Sequence, residues 1–236
     1  MFLAMTEEEI QSISSLPSQY AYLGCHFSAD GSALEGLPKH LPQNCGIILD
    51  DRHPIPPTEP DKIIEQLAKY NPPYILLDFR RPPTDRSMKL SAELARSIFP
   101  SPMPPDYGKD LNCPLFLPPI PPHIPIEEYL QPWHDREIWL ELALDAVQID
   151  VTSRGSQITY FPHAHPVENA HKDSMLHCHY KITQTDDALS FYCCRTPEDL
   201  WEIIRSPLPQ NVTHTIGLYQ ELGNILEIKY ANWLRA

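Results

Sequence analysis

No stretch of this 236-residue sequence approaches 18 consecutive apolar residues, the length that a membrane-crossing helix needs. The opening M-F-L-A-M-T-E-E-E-I has no basic residue, and its apolar part is too short for a secretion signal. A cytoplasmic location and no membrane partner are expected. Basic charge is scarce too: 18 Lys and Arg stand against 31 Asp and Glu, a net charge of −13. With no basic patch to offset that balance, phosphate backbones are repelled, and nucleic acid is not expected as a partner. Glycines number 8, and neither G-x-G-x-x-G nor G-x-x-x-x-G-K-[ST] occurs, which removes the commonest nucleotide-binding loops. A G-x-S-x-G nucleophile turn is missing as well. The 6 cysteines show no C-x-x-C spacing and read as reduced thiols packed as small hydrophobes.

What the chain does have is an ordinary globular balance, 42% hydrophobic and 21% charged, enough for a packed core. It also has a repeated phrase. I-L-D-D-R-H-P runs from Ile48 to Pro54 and L-L-D-F-R-R-P from Leu76 to Pro82, 28 residues later. Each copy closes an apolar run that reads as a buried strand, and each is followed by a helical pattern. A β-α unit written twice, charged at the same end both times, predicts a parallel sheet with its polar groups at the strands' carboxyl ends.

The rest of the chain extends that pattern. Thr6 caps a short helix, with Glu9 completing a capping box. Strands are predicted over Tyr20–Ser28, Cys45–Asp50, Tyr74–Phe79 and Cys113–Leu117, with helices over Asp61–Tyr70 and Met88–Phe99. After Pro118 the pattern is less regular: a short helix at Ile126–Pro132, then Glu137–Asp150 with its first half read as helical. Alternating runs around Arg154-Gly155 predict a hairpin, and His177–Thr183 and Leu189–Cys194 two more strands. Thr196 caps a helix with Pro197 at its first position, Val212–Tyr219 is a strand, and Ile225–Trp233 a closing helix. Seven or eight strands in this order predict an α/β fold, a small, irregular TIM-like (β/α) barrel. An open doubly wound parallel sheet is the alternative. The whole chain, 1–236, is read as one barrel domain, with regular β/α units in 20–117 and hairpin-like strands in 145–195. The 27 prolines gather after strands, where they stiffen the loops around the strand ends.

On a barrel, the carboxyl ends of the strands form the site face. Asp50, Asp51 and Asp78 fall there, crowded enough to shift one another's pKa into separate acid and base roles. Arg52 and Arg80 follow two residues behind. A second constellation is rich in histidine: His163, His165, His171, His177 and His179 bring five of the 11 histidines into 17 residues. Alternate strand residues share a face, so either H-x-H pair suits one zinc ion.

An apolar strand ending in D-F-x-R-P resembles the glycoside-hydrolase barrels, chitinase-like or lysozyme-like, whose strand ends carry a D-x-E pair. The likeness covers Gly46 to Pro83. It implies a carbohydrate ligand and a two-carboxylate site, but Arg80 and Arg52 stand where the family has its acid Glu. A guanidinium does not give up its proton near neutral pH, so the resemblance implies a carbohydrate-binding relative in which hydrolysis is either lost or has its acid elsewhere. On this reading Asp50, Asp78 and Glu221 are the catalytic candidates, Glu221 as proton donor, and His26, Asp51, Arg52 and Arg80 the ligand-binding ones. No cofactor is expected. A metal-dependent hydrolase with zinc on His163, His165, His177 and His179 is one alternative, and a non-enzymatic interaction protein another.

Overall fold

The computed structural model describes residues 1–13, 19–29, 34–55, 59–162 and 167–223. In chain order the elements begin with β1 (Phe2–Met5), α1 (Glu7–Ser12), β2 (Tyr20–Phe27), β3 (Leu34–Glu35), β4 (Cys45–Asp50), α2 (Pro60–Ala68), β5 (Ile75–Asp78), α3 (Asp85–Arg96), α4 (Pro105–Gly108) and β6 (Leu115–Leu117). They continue with α5 (Ile126–Leu130), β7 (Ile138–Leu142), β8 (Ala146–Thr152), β9 (Gly155–Phe161), β10 (His171–Asp173), β11 (Cys178–Gln184), β12 (Ala188–Cys194), α6 (Pro197–Arg205) and β13 (Val212–Leu218). The predicted closing helix at Ile225–Trp233 lies outside the described residues. The chain divides into two compact units: Met1–Pro118 with Asp135–Leu140 and Asn211–Tyr219, and Pro119–His134 with Glu141–Gln210 and Gln220–Ala236.

The first unit carries the barrel. Its strands lie in the order β5-β4-β2-β1-β13-β7-β6, and β1–β2, β2–β4, β4–β5, β1–β13 and β6–β7 pair in parallel. Between the outer strands runs the segment 100–103. The carbonyls of Pro100 and Pro102 accept Ile75 N–H and Leu77 N–H at 3.0 and 2.9 Å, and Met103 bonds to Pro114 and Phe116 on its other side. Proline has no N–H to donate, so this stave joins β5 through carbonyls alone. The nearly closed sheet is a small, irregular TIM-like barrel, as the sequence predicts.

Phe2, Ala4, Ala21, Ile48, Tyr74, Leu76, Phe116, Trp139 and Ile216 form one buried cluster drawn from seven staves, which fills the barrel as such interiors are filled. Rings are packed closely within it: Phe2 stacks on Trp139 with centroids 5.2 Å apart, and Tyr74 meets Trp139 edge-on at 4.9 Å. The helices predicted after the second and third strands form as α2 and α3. Thr6 and Thr84 both close full capping boxes, at α1 and α3.

One segment differs from its prediction. The first half of Glu137–Asp150 is not helical but is β7, followed by β8. Ile138, Trp139 and Leu140 are all buried, as in a parallel strand covered on both faces, and such a run carries no period-two signal to separate it from helix.

The second unit holds an antiparallel sheet in the order β10-β11-β12-β8-β9. The β8–β9 hairpin turns at Ser153 and Arg154 with Thr152 opposite Gly155. Thr196 caps α6 through a box with Asp199, and Pro197 is its first residue. Arg195, 2% exposed, donates to the carbonyls of Ile120, Leu176 and His177, so its buried charge is met by main-chain oxygens.

Candidate functional site at the carboxyl ends of β2, β4 and β5

Register assembles the site. Asp50 stands opposite Asp78 across the β4–β5 pair, and His26 opposite Asp50 across β2–β4. Asp50 shares a strand face with Ile48, and Asp78 with Leu76, both members of the barrel-filling cluster. The two aspartates therefore extend the inner face of the barrel at its carboxyl end. His26 joins them because β2 has an irregularity between Leu23 and Cys25, which shifts its alternation by one residue.

His26 is held from both sides. Its Nδ1 donates to the Gly24 carbonyl at 2.7 Å, since a carbonyl only accepts. Its Nε2 faces Glu35 at 3.6 Å, and its ring centroid lies 6.0 Å from that of His53. Gly36 makes this turn possible: its φ is +66°, and a Cβ there would lie 2.0 Å from the Gly24 oxygen.

Each aspartate is paired with the arginine two residues on. Arg52 Nε lies 2.9 and 3.0 Å from the Asp50 oxygens and its Nη2 2.5 Å from one of them. Arg80 Nε donates to Asp78 in the same way. The pKa values of the two carboxyls are nevertheless shifted in opposite directions. Burial works to raise Asp50, but the Arg52 hydrogen bonds and charge, with His26 nearby, outweigh it and hold Asp50 below the usual carboxylate value. At Asp78 burial prevails over Arg80, and the charges of Asp50 and Asp51 add to it, so Asp78 is raised.

Asp51 points the other way along its strand and is 4% exposed. Its carboxylate accepts the backbone N–H of Arg80 at 2.8 Å and of Arg81 at 2.9 Å. Arg81 answers with Nε to the Asp51 carbonyl and Nη2 to the Arg52 carbonyl, both at 2.8 Å, and Tyr107 Oη donates to the Arg81 carbonyl at 2.8 Å. This latch ties the β4 and β5 loops together. An open cleft of about 630 Å³ lies against it, walled by Pro54, Ile55, Pro82, Pro83 and Tyr107 among others. Arg81 and Tyr107 were missed in the sequence, where nothing marks either residue beyond the second arginine of R-R-P.

The other predicted residues fall in the second unit. Glu221 lies in a helical turn, 219–223, and its carboxylate accepts the backbone N–H of Leu144 at 2.9 Å. His177 Nδ1 is 3.5 Å from Glu202, and His179 Nδ1 is 2.9 Å from Asp199, so both rings face acids of α6. His163 and His165 lie outside the described residues. Among the described residues no group of three or more His, Cys, Asp or Glu is placed to hold a metal ion. All six cysteines are free, and no helix of the described residues is long and apolar enough to cross a membrane.

Fold and site together define a β/α barrel with two in-register aspartates, differently tuned, at the carboxyl end of its strands. No family model matches the sequence, and no curated protein does. Among solved structures, the chain is similar to the spore cortex-lytic enzyme SleL of Bacillus cereus, with a TM-score of 0.48 and 10% identity over 96% of this chain and 73% of that one. The SleL enzyme of Bacillus megaterium QM B1551 gives a TM-score of 0.42 and 8% identity over 92% and 68%.

Proposed function

We propose that this barrel binds carbohydrate at the mouth formed by His26, Asp50 and Asp78, as a glycoside-hydrolase-like protein. The observation that carries the reading is the in-register Asp50–Asp78 pair with pKa values pushed apart. Two neighbouring carboxyls, one shifted down by its arginine and one shifted up by burial, are the arrangement that glycoside chemistry uses. In this reading Asp78 supplies the proton that the sequence assigned to Glu221, and Asp50 is the ionised partner. Arg52 and Arg80 hold the two carboxyls and present half-exposed guanidinium groups toward sugar hydroxyls.

Binding and turnover are tested separately. Soluble β-1,4-linked glucan and N-acetylglucosamine oligomers are titrated into isotopically labelled protein. Saturable shifts at His26, Asp50 and Asp78 are expected, weakened at least about tenfold in Asp50→Asn, the loss of one charged hydrogen-bonding group. If no oligosaccharide gives saturable shifts in the millimolar range, the carbohydrate reading falls. Product analysis with the same oligomers then decides whether the bound sugar is cleaved.

A further inference from the structure

The antiparallel sheet of the second unit ends in an edge strand with unusual composition. β9, G-S-Q-I-T-Y-F, contains no charged residue and no proline, and among the described residues it pairs only with β8. Exposed edges are ordinarily protected by charge, proline or brevity. None of these applies here: β9 has 7 residues, six of them exposed, with Ile158 47%, Tyr160 59% and Phe161 38% accessible.

Register shows which backbone groups face outward. Thr152 and Gly155 close a two-residue turn, and the pair that closes such a turn is hydrogen-bonded. Antiparallel pairs then alternate, so Gly155, Gln157, Thr159 and Phe161 bond to β8. Ser156, Ile158 and Tyr160 turn their N–H and C=O groups away from it. On the side-chain side, Ile182, Phe191, Ile149 and Ile158 stand opposite one another across β11, β12, β8 and β9. That apolar row ends at Ile158, on the open edge.

We propose that β9 is a self-association surface whose partner is the β9 strand of a second copy, paired antiparallel about Ile158. The strand is complementary to itself in that register. Ile158 faces its counterpart, Ser156 faces Tyr160, Gln157 faces Thr159, and Gly155 lies under Phe161, a favourable aromatic-on-glycine pairing. Its three outward residues give three hydrogen-bonded pairs, and the Ile182–Phe191–Ile149–Ile158 row continues into the second sheet. Charge points to the same place. Two copies at −13 each repel, yet 146–161 contains one Asp150 and one Arg154. Asp150 is on the opposite face, bonded to Ser190 and Gln148, and Arg154 falls opposite Pro162 of the second copy. A symmetric two-fold pairing of this kind closes on itself and stops at a dimer.

Sedimentation equilibrium of the full chain, from low to high micromolar concentration, tests this, with far-ultraviolet circular dichroism confirming that each variant is folded. The wild type is expected to show a reversible monomer–dimer equilibrium. Ile158→Lys, which sets two charges opposite each other at the two-fold axis, is expected to weaken it at least about tenfold. Ser156→Pro, which removes an outward N–H, is expected to do the same. Ile182→Lys, at the far end of the apolar row, is expected to leave it unchanged. A wild type that stays monomeric overturns the proposal. So does an Ile182→Lys effect as large as that of Ile158→Lys, which would mean face-to-face packing instead of edge pairing.

Discussion

At the scale of single residues, Asp50 and Asp78 make opposite contributions to stability as pH changes. Asp50 is held below its unfolded value, so its contribution is present above the ordinary carboxylate pKa and lost as pH falls through the lower folded value. Asp78 is raised. The unfolded chain releases that proton first, so stability falls as pH rises from the ordinary value through the folded one. Thermal denaturation of Asp50→Asn and Asp78→Asn across acid pH is the check. Asp50→Asn should cost on the order of 1 kcal/mol at neutral pH and approach the wild type in acid. Asp78→Asn should gain on the wild type as pH rises. Parallel curves for the two variants would mean that the aspartates are not tuned apart. Asp51 gives a sharper test. Replacing it by Ala leaves two backbone N–H groups without their charged acceptor, an expected loss of about 2–4 kcal/mol in denaturant titration. The repeat and strand alternation made Asp50, Asp78 and the opposed Asp51 legible in the sequence. His26 was legible as a residue near the site but not by its facing, because the irregularity at Gly24 reverses the alternation that Leu23 starts.

At the scale of elements, interior packing decides which glycines are required. A Cβ on Gly46 of β4 would lie 2.1 Å from the Tyr74 ring, and that ring is itself locked against Phe2 and Trp139. Gly46→Ala is expected to cost about 1–3 kcal/mol by overpacking. Tyr74→Leu in the same chain should return part of that loss, because it vacates the contested space, and a double-mutant cycle in denaturant measures the coupling. Additive costs would show that the clash is relieved elsewhere. Helices were the more legible elements: Thr6 and Thr196 cap theirs as predicted, while α3 begins at Asp85 behind a Thr84 cap, three residues before the predicted Met88. Two staves were not. β1 has only 4 residues, all buried, too few for either period to show. The 100–103 stave reads as loop because Pro100 and Pro102 cannot donate to a ladder, although their carbonyls complete one.

At the scale of the whole molecule, charge is the property with consequences everywhere. Excess negative charge repels itself in the compact state, and added salt shortens the range of that repulsion from about 30 Å at 0.01 M to about 8 Å at physiological ionic strength. The melting temperature is therefore expected to rise between those two conditions. It would fall instead if attractive pairs such as Asp50–Arg52 dominated, because screening weakens those. The same balance governs association. Pairing two chains through β9 brings two charges of −13 together, while the contact itself is neutral, so the dimer should tighten with salt. A protein that bound through opposite charges would loosen instead. Chromatography on immobilised duplex DNA supplies the complementary reading. A chain with 31 acids, 18 bases and no basic stripe should pass unretained at every salt concentration, and retention that salt reverses would reveal a positive surface that the total charge hides.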